Sequence, residues 1–241
     1  ALDKPLSDVT RRAEALTEFN PMLGMRGVRL GVVLPEIYAM QAQAIFEATV
    51  EVARRGAAVV PEIMIPLVAS QRELLYFRSS LEKEVARVLE HAGEEMHISI
   101  GSMIETPRAA ITAAKLADYS DFFSFGTNDL TQLTWAFSRD DVESSFLPRY
   151  LDLELLPFSP FESLDQDGVG LLVKIACDEV RTVNPEMKLG VCGEHGGDPR
   201  SIDFFHHVGL DYVSCSPFRV PVARLEAGRA AVSAHATTGS A

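Results

Sequence analysis

The sequence predicts an α/β protein built on part of a (β/α)8 barrel of the TIM type, about its last five β/α units. Three observations predict it. From about residue 35 onward, short apolar runs alternate with helical segments, the pattern of a parallel sheet covered by helices. Polar residues gather directly after the apolar runs, at Glu105, at Asn128 with Asp129, and at Glu194 with His195. A barrel builds its site there, at the C-terminal ends of its strands. No G-x-G-x-x-G turn follows any run, which argues against an open dinucleotide-binding sheet. A closed barrel needs eight strands, so the expected barrel is incomplete at its front.

The elements follow in order. Residues 35–56 have apolar residues at helical spacing, a Pro in the first turn, Arg54 and Arg55 in the last, and Gly56 as a stop. The run 59–66 reads as a strand because it is short and bounded by prolines. Ser70 with Glu73 three residues on forms a capping box that opens a helix to Ala92. Residues 98–104 are the second strand, and Thr106-Pro107 opens a helix to about Tyr119. Residues 122–126 are the third strand, and 138–165 carry little regular pattern. A helix covers about 167–183, a strand 188–193, a helix opens at Asp198-Pro199, a last strand covers 211–216, and a helix runs from about 221 to 234. Residues 1–236 are expected to form one partial barrel domain, and residues 237–241 a disordered tail.

Composition limits the function. With 47% hydrophobic and 23% charged residues, a sizeable core is possible. A formal net charge of -12 argues against nucleic acid or an anionic membrane as partner, since both need clustered Lys and Arg. Cys177, Cys192 and Cys215 form no CxxC pair, which fits reduced thiols and a cytoplasmic location. No apolar run reaches the length of a membrane span, and the opening residues, which begin on Ala, lack the regions of a signal peptide.

Four constellations carry chemistry. Glu105 and Asp129, each just beyond an apolar strand, put two carboxylates at neighbouring strand ends, where they can share a hard cation such as Mg²⁺ with substrate oxygens and water. The competing reading is that each begins a helix. Cys192, beside Glu194 and His195 and flanked by glycines, is a candidate acid or nucleophile, against the ordinary fate of a buried small side chain, which Cys177 and Cys215 fit by position. Arg26 stands between Gly24 and Gly27, free to reach a carboxylate or phosphate with both arms; spacing alone favours a solvated surface Arg.

Taken together, NPMLGMRG (20–27), GSMIETPRAA (101–110), FFSFGTNDLTQ (122–132), CGEHGGDP (192–199) and DYVSCSPFRVPVARL (211–225) resemble the phosphoenolpyruvate-binding barrel of the pyruvate phosphate dikinase family, from about Asn20 to Val232. Phosphoenolpyruvate synthases and the sugar-phosphotransferase-system enzyme share the Arg, GTNDLTQ and Cys-Gly parts; EHGG and SCSPFRVP favour the dikinases. The resemblance implies Mg²⁺ held by Glu105 and Asp129, and substrate contacts from Arg26, Glu105, Gly126, Thr127, Asn128 and Asp129. It implies Cys192 as the acid that protonates C3 of enolpyruvate. A thiol in that role must stay protonated, and Glu194 is the carboxylate expected to hold it so.

The resemblance further implies phosphoryl exchange with a phosphohistidine domain, a homodimer through this barrel, and two further Arg ligands from GxGLxRTE and VRxLD strands. Neither of those motifs is present, so the chain alone is expected not to run the full dikinase reaction. Two other readings compete: a Mg²⁺-dependent aldolase or lyase with a similar carboxylate pair, and a folded dimerisation fragment without activity.

Overall fold

The computed structural model describes residues 4–238. Five strands, β1 (Glu62–Ile65), β2 (Ser99–Ile104), β3 (Phe122–Gly126), β4 (Lys188–Cys192) and β5 (Tyr212–Val213), pair in parallel in the order of the chain. The five expected strands are thus the five observed. Sequential order without reversal is that of a β/α barrel arc; a doubly wound sheet reverses direction at a switch point, and this one does not.

Strand alternation gives the sheet two faces with different work. Ile65, Ile100, Ile104, Phe123, Phe125, Leu189 and Val191 are buried in the main core beneath the helices. The opposite face carries Glu62, Gly101, Met103, Phe122, Ser124, Lys188, Gly190 and Tyr212 by the same register. Across it, Lys188 of β4 reaches Glu62 of β1 at 3.0 Å. Three strand spacings come to roughly 14 Å, so the pair closes over a concave surface, as the inside of a barrel requires.

The helices are α1 (Leu6–Ala15), α2 (Val28–Val33), α3 (Pro35–Arg54), α4 (Gln71–Ala92), α5 (Pro107–Ile111), α6 (Ala113–Ala117), α7 (Thr127–Trp135), α8 (Arg139–Glu143), α9 (Leu147–Asp152), α10 (Leu171–Val183), α11 (Pro199–His207) and α12 (Val220–Thr238). Local chemistry sets their ends. Ser70 Oγ accepts from Arg72 N at 3.2 Å while Glu73 accepts from Ser70 N at 2.9 Å, the reciprocal box read from the sequence, and Gly93 closes α4 in the left-handed region. Thr106 Oγ1 accepts from Ala109 N at 3.1 Å, and Asp198 Oδ2 from Ser201 N at 2.9 Å, each before a Pro at the first helical position.

Several expectations need correction. The helix expected from Thr106 to about Tyr119 breaks at Thr112, whose hydroxyl donates to Arg108 O at 2.7 Å, into α5 and α6. Residues 138–165 are not patternless: α8 and α9 fold over a small core of Val142, Leu147, Leu156 and Phe161. Helices of one or two turns are too short to display a period. α1 and α2 were not foreseen, and α1 buries none of its residues. The helix that α10 continues begins with a π turn, in which Gly170 N donates to Asp165 O at 2.8 Å. The expected tail began at residue 237, yet α12 continues through Thr238; residues 239–241 lie outside the described residues. No helix among the described residues is long and apolar enough to cross a membrane.

Candidate active site

The C-terminal ends of β2, β3 and β4 lie side by side, since Ile104 pairs with Phe125 and Gly126 with Cys192. The turn after β2 carries Glu105, the first turn of α7 after β3 carries Thr127, Asn128 and Asp129, and β4 ends on Cys192. Gly126 is required here: a Cβ at this position would lie 2.5 Å from Glu105 Oε2 and 2.8 Å from Met103 Sδ. The missing side chain leaves room for the carboxylate.

Glu105 is only 4% exposed. Its Oε1 accepts from Leu67 N at 2.5 Å. Leu67 has φ 61°, a left-handed backbone unusual for Leu, and this strained turn after β1 aims its N–H at the carboxylate. Burial, with the Asp129 carboxylate beside it, pushes Glu105 up to about 7; the Leu67 bond and Arg26 pull the other way.

Asp129 is held by Arg26. Nη2 of Arg26 lies 2.6 Å from Oδ1 and Nη1 lies 3.2 Å from Oδ2, while Nε donates to Met22 O at 2.8 Å. Arg26 therefore reaches a carboxylate with both arms, and that carboxylate is the protein's own Asp129. The ion pair draws the loop before α2 onto α7. Asn128 Oδ1 accepts from Glu194 N at 3.2 Å, tying the β3 loop to the β4 loop. Gly193 has φ 108°, and a Cβ there would lie 2.9 Å from both Asn128 Oδ1 and Thr127 Oγ1.

Burial raises the Cys192 thiol above its ordinary value; Glu105 and Asp129 add to the rise, and a hydrogen bond with Ser124 opposes it. The direction is the one a thiol acid needs, but the cause differs from the one expected. Glu194 is exposed and is not among the groups that raise the thiol; the carboxylates at the ends of the neighbouring strands are. Ser124 was missed: one buried Ser inside FFSFG carries no sequence signal, and only strand parity turns it toward Cys192. Cys177, buried in α10, is pushed up to about 12 by burial and fits an inert core thiol.

His195 is fully buried beneath the site. Nε2 lies 2.9 Å from Pro160 O and Nδ1 lies 2.8 Å from Thr127 Oγ1. A carbonyl only accepts, so Nε2 carries the proton; Nδ1 of the neutral ring and Cys192 O, 2.8 and 3.2 Å from Thr127 Oγ1, compete for its single hydroxyl proton. Burial lowers the imidazole pKa and favours this neutral form. The histidine pins the 156–165 loop to the residue next to Gly126.

Two oxygen ligands without a third protein donor suit a hard cation that keeps water and takes substrate oxygens. Among the described residues no group of three or more His, Cys, Asp or Glu converges on one point. Glu105 and Asp129 fit an open site of this kind, because their mutual charge is what a cation would neutralise. A cleft of about 1120 Å³ lined by Trp135, Phe158, Asp165 and Arg200 contains none of these residues.

Fold and site together define a barrel-type α/β protein with a carboxylate pair, an arginine and a protonated thiol at its strand C-terminal ends. The chain belongs to the PEP-utilising enzymes: the model of their PEP-binding domain matches residues 1–232. It is 52% identical over 225 residues to pyruvate, phosphate dikinase 1, chloroplastic, of Arabidopsis thaliana, covering 93% of this chain and 23% of that protein. It is 50% identical over 234 residues to the chloroplastic pyruvate, phosphate dikinase of Flaveria pringlei, covering 96% of this chain and 24% of the relative. Pyruvate, phosphate dikinase 2 of Zea mays is 52% identical over 225 residues, 93% of this chain and 25% of the relative. The chain thus spans about a quarter of the length of these curated relatives. The match favours the dikinase reading over the aldolase one.

Proposed function

We propose that the chain binds phosphoenolpyruvate or pyruvate as part of a pyruvate phosphate dikinase, with Mg²⁺ on Glu105 and Asp129. The observation that carries the reading is the meeting of Glu105, Asp129, Asn128, Arg26 and Cys192 at adjoining strand ends. A bound Mg²⁺ supplies electrophilic stabilisation of negative charge on the substrate's oxygens. Arg26 binds the phosphate or carboxylate with its fork, and Asn128 with the backbone at Gly126 and Thr127 orients it. Cys192 holds the proton that goes to C3 of the enolate; its raised pKa keeps that proton in place near neutral pH. Phosphoryl exchange with a phosphohistidine domain belongs to the longer protein, and the chain by itself does not run the full reaction.

Two further parts of the proposal are coarser. Among the described residues β1 pairs only with β2 and β5 only with β4, so each leaves an unpaired edge that favours self-association, with a homodimer as the expected form. A monodisperse monomer in sedimentation counts against that. The three free thiols support a reducing compartment, with the cytoplasm as the reading, although two of the relatives above are named as chloroplastic.

Calorimetric titration with oxalate, an enolpyruvate mimic, tests the binding site. Binding that requires Mg²⁺ and disappears in a Glu105→Gln, Asp129→Asn double variant is the expected result. Absence of binding under all conditions removes the reading for this chain and leaves a folded fragment. In the same preparation, alkylation of Cys192 followed against pH is expected to turn on only well above neutrality. A thiolate already present at pH 7 would rule out its role as the acid.

A further inference from the structure

The carboxylate pair and the arginine have competing demands on them. Both oxygens of Asp129 are occupied by the Arg26 fork, at 2.6 Å and 3.2 Å, so the position a cation would take on this carboxylate is held by the protein's own positive charge. Arg26 is not fixed there by regular structure. It lies in the short loop between the turn at Pro21–Leu23 and α2, anchored by its Nε to Met22 O. Its side chain is 37% exposed, and that of Asp129 19%. A guanidinium in such a loop can exchange one oxyanion partner for another, because carboxylate and phosphate present the same paired acceptors.

We infer that Arg26 acts as an internal counter-ion that competes with the divalent cation for Asp129, so that cation and anionic ligand bind synergistically. The inference rests on the function proposed above and extends it to the order of events. A cation alone must displace the guanidinium from Asp129. An anionic ligand alone must draw the guanidinium away and leave two adjacent carboxylates uncompensated. When both arrive, Arg26 moves to the anion and the cation takes its place on Asp129, so each ligand removes the other's obstacle. This synergy is additional to direct chelation of the cation by the anion, and it resides in one side chain.

Mn²⁺ titrations, read by the loss of the free-ion electron paramagnetic resonance signal, separate the two contributions. They are made on the unaltered chain, Arg26→Gln and Arg26→Lys, each with and without oxalate. Without oxalate, Arg26→Gln is expected to bind Mn²⁺ about tenfold more tightly than the unaltered chain, the scale of one lost charge-assisted contact. Oxalate should then raise the Mn²⁺ affinity of Arg26→Gln much less than that of the unaltered chain. Arg26→Lys keeps the charge but not the fork, and its affinity should fall between the two. Equal or weaker Mn²⁺ binding by Arg26→Gln without oxalate overturns the inference while leaving the metal site intact. Failure of every protein to bind Mn²⁺, with or without oxalate, overturns the metal site and the inference together.

Discussion

In metal-free buffer at pH 8, Glu105→Gln is expected to melt above the unaltered protein. Glu105 is 4% exposed, lies against a second carboxylate, and is pushed up from 4.5 to about 7. Between those values the folded chain holds a proton that the unfolded chain has released, so unfolding becomes easier as pH rises. The stability associated with this group is fully present below about pH 4.5 and is lost as pH rises through about 7. The loss comes to about 3 kcal/mol by linkage, or roughly 6–12 °C for a chain of this size. Gln stays neutral at every pH and can still accept from Leu67 N, so it avoids the loss.

The quantity to measure is the melting difference between the two proteins across pH 4.5 to 8 with EDTA present. His195 titrates in both and cancels. Its lowered pKa acts in the opposite sense: its stability is present above the usual 6.5 and is lost as pH falls through the lowered value. A difference that grows with pH supports the burial argument. A pH-independent difference, or a less stable Gln variant at pH 8, contradicts it. The penalty remains because the Leu67 N–H and Arg26 offset the burial of Glu105 only in part.

His195→Leu is expected to be the most damaging single change near the site. It leaves the Pro160 carbonyl and the Thr127 hydroxyl without the ring nitrogens at 2.9 and 2.8 Å. Thr127 Oγ1 keeps Cys192 O as a partner at 3.2 Å, so one buried polar group is left unpaired, and a loss of about 1–3 kcal/mol in denaturant unfolding is expected. Because Thr127 stands next to Gly126 and ahead of Asn128 and Asp129, Mg²⁺-dependent oxalate binding should weaken as well. His195→Gln keeps a donor and an acceptor on one side chain and is expected to recover part of both losses. A Leu variant within about 0.5 kcal/mol of the unaltered protein would show that the bonds to His195 are not needed.

Much of this protein was legible in its sequence, for definite reasons. Helix ends were readable because caps are local: Ser70 with Glu73, and Thr106 or Asp198 before a Pro, act within one turn of chain. Strand positions were readable because a parallel strand buried on both faces is a short apolar run. Glu105, Asp129 and Cys192 were readable as strand-end residues because a β/α fold brings strand ends to one side.

Other features depended on where distant parts of the chain meet. Arg26 and Asp129 are 103 residues apart, and their pairing follows from the seating of the loop before α2 against α7. The Leu67 N–H aimed at Glu105 comes from a turn at positive φ formed by a residue that does not advertise one. The identity of the groups that hold the Cys192 proton was decided the same way, for Glu194 is its near neighbour in sequence while Glu105 and Asp129 are its neighbours in space. Sequence determined which side chains stand at the strand ends, because that depends on local pattern and alternation. Tertiary structure decided their partners and their charge, because burial and Coulomb interaction depend on distance in space rather than separation along the chain.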